Sequence, residues 1–163
     1  MNGKVLLILV LLALLVSGCT EPLDEEAETV KASAGGWLGS EQGREQFPDG
    51  IAGEPVRVWR EGEVFYWIVP IGNSEGLYTG NLISDRENFT IPTQTVEYKE
   101  PRDRLLNTTR DEAHQQMISE SGYPAYQISR PILLSMPKGL YWYSEVKVDN
   151  EVLDELYIET FTF

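Results

Sequence analysis

Residues 64–71, Val-Phe-Tyr-Trp-Ile-Val-Pro-Ile, constrain the fold more than any other stretch of this chain. β-branched and aromatic side chains occupy both parities of the run, whereas a strand with one wet face would alternate with polar residues. The run therefore reads as a central strand. Pro70, near its end, predicts that pairing stops or bulges there, because proline donates no ladder hydrogen bond. A short alternating strand at 56–60 precedes it across a tight turn at Glu61-Gly62-Glu63. The cluster Gly72-Asn73-Ser74-Glu75-Gly76 then turns into a strand at 77–84, and Asp85-Arg86-Glu87-Asn88 turns again before Phe89-Thr90-Ile91. The pattern is an antiparallel meander.

Residues 99–104 are too polar for a core and read as a break. Beyond them comes the clearest helix signal: Thr109 as N-cap, Glu112 three residues on to complete a capping box, and Gly122 with Pro124 to stop it. Ala113, Met117 and Ile118 supply its apolar stripe. Strands are expected again at 126–128, 132–134, 140–148 and 152–163. In the third of these, Leu140, Trp142, Val146 and Val148 share one face while Tyr141, Tyr143, Glu145 and Lys147 share the other. The fold class is α+β: an antiparallel meander sheet with one or two helices packed on one face. Phe65-Tyr66-Trp67 and Leu140-Tyr141-Trp142 occupy equivalent places in their meanders. Residues 53–163 are thus either one domain or two tandem helix-plus-meander units, 53–98 and 105–163.

The N-terminus sets the compartment. Lys4 precedes twelve uninterrupted apolar residues at 5–16, and Ser17, Gly18 and Cys19 follow. A run of this length suits a signal-peptide core, whereas a membrane-spanning helix needs roughly 20 residues. Val16-Ser17-Gly18-Cys19 resembles the lipobox of bacterial and archaeal lipoproteins. That resemblance implies removal of residues 1–18, lipidation of Cys19, and a chain anchored to the cell membrane on its extracellular or periplasmic side. Two acyl chains are the number that stable anchoring usually takes. Residues 19–52 read as the lipidated terminus and an acidic, glycine-interrupted tether. A short helix at about 24–34, carrying Trp37 and Leu38 back onto the core, is the ordered alternative.

The order of a helix and then a meander resembles the PepSY-type module, a small cystatin-like unit of exported proteins and peptidase propeptides. The residues that carry the resemblance are Thr109-Arg110-Asp111-Glu112-Ala113, the strand at 141–148, and the strand at 77–85 with its acidic turn. Val148-Asp149-Asn150 departs from that pattern in lacking a turn glycine. The resemblance implies a binding or peptidase-regulating role and carries over no catalytic residue.

Composition narrows the chemistry. Thirteen basic residues against 26 acidic ones give a net charge of −13, which repels phosphate backbones, so no nucleic-acid partner is expected. A single cysteine allows no internal disulfide. His114 is the only histidine and lacks metal-binding spacing. Asp149, Asn150, Glu151, Asp154 and Glu155 could supply oxygen ligands, but without the EF-hand spacing. No catalytic residue, metal or cofactor is assigned. Asn88 and Asn107 head glycosylation sequons. Trp59, Trp67, Tyr141, Tyr143 and Tyr157 are the candidate binding face, since aromatics on alternating strands cannot all point inward. The leading expectation is a non-enzymatic module for a protein or peptide partner, held to the membrane through Cys19. An envelope assembly factor and a small hydrolase using two carboxylates are the alternatives.

Overall fold

The computed structural model describes residues 24–85 and 92–162. The signal segment, Cys19 and Asn88 lie outside the described residues. Helices α1 (Glu25–Leu38) and α2 (Glu41–Gln46) come first, then strands β1 (Ile51–Ala52), β2 (Val56–Arg60), β3 (Glu63–Gly72), β4 (Tyr78–Asp85) and β5 (Gln94–Arg102). Helix α3 (Arg110–Ser121) and a 3-10 turn (Ala125–Gln127) lead into β6 (Ile132–Met136), β7 (Gly139–Val148) and β8 (Glu151–Thr162). All eight strands form one sheet in the order β5-β4-β3-β2-β6-β7-β8, with β1 pairing on β3. Every pairing is antiparallel except the central one, β2 with β6, which is parallel. The α+β class read from the sequence is the observed one. Two meanders, each preceded by helix, meet at that parallel seam.

Strand parity distributes the cores. Trp67, Val69 and Ile71 of β3 pack with Leu82 against Val30, Ala34 and Leu38 of α1 and Phe47. Ile68, between them in sequence, packs with Val58, Leu133, Leu140, Trp142 and Val146 against Ala113 and Met117 of α3. Each meander therefore carries its helical element on one of its faces, and the two lie on opposite sides of the continuous sheet. The apolar parity of residues 64–71 has this cause: β3 is covered on one side by α1 and on the other by the core beneath α3.

Residues 24–50 are not the solvated tether that their composition suggests. The acids at Glu25, Glu26 and Glu28 fall in the first turn of α1, where they favour the positive end of the helix dipole, and Asp24 caps it by accepting from the Ala27 N–H. Val30, Ala34 and Leu38 recur every four residues and bury one stripe; Val30 and Leu38 each stabilise by roughly 1.5–3 kcal/mol and the Ala34 methyl by about 0.8 kcal/mol. Ser40 caps α2, and Gly43 lets α2 turn back against α1: a Cβ there would stand 2.2 Å from the Trp37 carbonyl oxygen.

Three further readings are refined. Pairing of β2 with β3 ends at Val56 opposite Ile68, and β1 resumes it at Ala52 opposite Ile71, so the ladder changes partners at Pro70. Residues 99–102, read as a break, complete β5; their charges suit an edge strand facing water. Residues 126–128 form no strand. Pro124 starts the 3-10 turn instead, and only Ile128 bridges to Val146. Helix α3 is as expected: Thr109 Oγ1 accepts from the Glu112 N–H, Glu112 Oε2 accepts from the Thr109 N–H, and Gly122 ends it at a φ of 75°.

Candidate binding face

The sheet side that α1 covers over β3 and β4 continues across β6, β7 and β8 with no helix of the described residues packed on it. Its side chains fall into rows set by register. Trp59 stands opposite Leu134, which stands opposite Tyr141, which faces Glu159. In the next row Ile132, Tyr143 and Tyr157 are neighbours, and beyond them Glu145 faces Glu155. The clean alternation of β7 that the sequence displays is what brings Tyr141, Tyr143 and Tyr157 together.

The hydroxyls are fixed by carboxylates. The Tyr143 and Tyr157 rings lie 5.2 Å apart at 47°. The Tyr143 hydroxyl reaches both Glu145 and Glu155 at 3.3 Å and can donate to one at a time; Tyr157 donates to Glu155 at 2.7 Å, and Tyr141 to Glu159 at 3.5 Å. Burial, then the charges of Glu145 and Glu155, raise the Tyr143 phenol well above its usual 10. Tyr157 is raised by its bond to Glu155, and Tyr141 by burial and Glu159. All three therefore stay protonated, and remain donors, at neutral pH. Lys147, 2.5 Å from Glu145, holds that carboxyl below its usual range and shows that a cation already suits this surface. The face thus offers flat apolar rings bordered by oriented negative oxygens, a combination that accepts ammonium or guanidinium groups.

Of the five aromatics assigned to this face, Trp67 does not belong to the free surface. It lies on the same sheet side but is only 1% exposed, buried under α1. The Arg57 guanidinium sits 4.8 Å above its ring and is held by Asp24 at 2.6 Å and Glu26 at 3.2 Å. Trp59 is half-buried beside Leu134, and Tyr157 is 42% exposed. Asn107 is exposed before α3, its N–H bonded to the Thr160 carbonyl. His114 is half-buried, its Nε2 without a hydrogen bond among the described residues. Among the described residues no group of three or more His, Cys, Asp or Glu side chains is placed to hold a metal ion.

The opposite side of the first meander is partly open as well, over β4 and β5 beside the core under α3, and the sequence reading missed it. Tyr66, Ile68, Ile83 and Val96 floor a groove of about 870 Å³, flanked by Leu105 and Phe161. Within it Asn81 donates to the Tyr98 hydroxyl at 2.9 Å, while its buried Oδ1 has no partner among the described residues. The signal was in the second parity of the central strand, whose Tyr66 and Ile68 need a neighbour just as Trp67 and Val69 do. Set against known proteins, the chain stands by itself: no family model, no curated protein and no solved structure matches it.

Proposed function

We propose that this chain is a lipoprotein, anchored through Cys19 outside the cell membrane, that works as a non-enzymatic binding module for a protein or peptide. The observation that carries the reading is the uncovered row of Tyr141, Tyr143 and Tyr157, whose hydroxyls are pre-oriented by Glu145, Glu155 and Glu159. Side chains already held in place lose little freedom on binding, and tyrosine gives much contact area for few rotatable bonds. The PepSY-like order of helix and meander in 109–148 supports the same reading and extends it to regulation of a peptidase. A two-carboxylate hydrolase has less support. A general acid must hold its proton near neutral pH, whereas Lys147 pulls Glu145 the other way, and the face is open rather than a cleft.

The test is affinity capture from detergent-solubilised host membranes with the full chain, comparing wild type with a Tyr143→Ala/Tyr157→Ala variant. A partner recovered by the wild type and lost by the folded variant is expected. Equal recovery by both overturns the assignment of this face. Cys19→Ser should release the protein from membranes, and its retention would overturn the anchor.

A further inference from the structure

The sheet has two edges among the described residues, and they differ in kind. Strand β5 carries Lys99, Pro101 and Arg102 and is bulged against β4, the devices by which an edge resists further pairing. Strand β8 is also bulged, against β7 at Leu153 and Thr160, but the stretch 154–159 between the bulges pairs in unbroken register. It runs twelve residues without proline, lysine or arginine, and exposes Val152, Leu153, Tyr157 and Phe161. One side of it pairs with β7 from end to end apart from the two bulges; on the other no described strand pairs with it, although near its end the Thr160 carbonyl accepts from the Asn107 N–H. It is also the border of the tyrosine face, contributing Glu155, Tyr157 and Glu159 to it.

The side chains of β8 say which strand would fit. Its charges are Glu151, Asp154, Glu155 and Glu159, all negative. A second copy pairing edge to edge would set these acids against their own kind, and like charges opposite one another in a sheet destabilise it. A strand bearing Lys or Arg at every second position would instead place cations beside Glu155 and Glu159 and over the Tyr157 ring. Its intervening side chains would fall on the other face, beside Leu156 and Ile158, where β-branched residues continue the core under α3.

We propose that β8 takes up an extended basic segment, cationic and β-branched residues alternating, as a ninth strand of the sheet. The proposal rests on the binding reading above and names the partner's chemistry. Main-chain hydrogen bonds would supply affinity, and the alternating side chains would supply choice.

The probe is a labelled decapeptide of alternating Arg and Val, titrated with the full chain by fluorescence anisotropy. Two versions N-methylated at every second residue, one in each frame, accompany it, together with a Glu-Val counterpart. Strand addition predicts binding of the basic peptide and none of the acidic one. It also predicts an affinity loss of about tenfold or more in one methylated frame and little in the other, because alternate N–H groups of an edge strand point to opposite sides. Glu155→Gln/Glu159→Gln should weaken binding by about tenfold as well. Equal binding of both methylated frames overturns strand addition. So does absence of binding by the basic peptide, or sedimentation showing the chain paired with itself through β8. If the membrane partner is nevertheless lost with Tyr143→Ala/Tyr157→Ala, the binding reading survives without the ninth strand; if it is retained, both fall.

Discussion

Trp67 and Tyr143 point to the same side of one sheet, yet the first is sealed under α1 and the second faces outward from a row of tyrosines. Both belong to strands of aromatic and β-branched residues in their own meanders. The difference comes from where each meander places its helix: α1 covers this side over the first, and α3 covers the reverse side over the second. Each half thus leaves part of one face outside its own helical cover, although β3 contributes to both cores. The open faces have different chemistry, an aliphatic groove in the first half and a tyrosine–carboxylate plane in the second.

The largest test of that contrast is a pair of truncations. Trp67→Ala should cost roughly 3–5 kcal/mol in urea unfolding, the range for an aromatic removed from a packed core. Tyr157→Ala should cost about 1 kcal/mol or less, since much of its ring is already in water. Similar losses would mean that the second face is covered after all. Next comes the helix pair of the first half. Gly43→Ala forces a methyl group into the Trp37 carbonyl and should destabilise by roughly 1–3 kcal/mol. Gly36→Ala, in α1 with open space around it, should stabilise by up to about 1 kcal/mol. Opposite signs in thermal unfolding are expected, and equal ones would break the account of α1–α2 packing.

The smallest effect compares the two hairpins. Both turn on two residues of positive φ: Glu61 and Gly62 between β2 and β3, Asp149 and Asn150 between β7 and β8. This is the turn whose twist matches that of the flanking strands. Asn150 does at a φ of 67° what Gly62 does at 83°, so Asn150→Gly should stabilise by about 0.5 kcal/mol. A loss on that substitution, read in the same unfolding curves, would show that the Asn150 side chain matters to the turn.

Where the sequence was legible, the physics was local. The capping box at Thr109 and Glu112, the alternation of β7 and the two-sided run of β3 each state their structure within a few residues. Where it was not, the deciding partner lay far along the chain. The acids of 24–28 read as a spacer because composition averages over the stripe of Val30, Ala34 and Leu38, which matters only once β3 and β4 lie beneath it. Trp67 and Tyr143 could not be told apart, because what separates them is a helix some thirty residues before one of them. Residues 99–102 looked like a loop because the charges that disqualify a core strand are the ones an edge strand wants. The tyrosine row needed only β7 and the register of β8, two neighbours in sequence, and so most of the candidate face could be read in advance.

The parallel seam of β2 and β6 has a consequence for how quickly this molecule can assemble. Every other neighbour in the sheet is reached through a hairpin or a short excursion, but Val58 and Leu133 meet at a sequence separation of 75. Closing so long a span consumes chain entropy before any reward arrives, and topologies rich in such encounters are slow. Trp142 and Val146 are buried in the same cluster as Val58 and Ile68, so the later half completes its interior only once the earlier half is in place. The meeting of the two halves is therefore the step expected to set the folding rate.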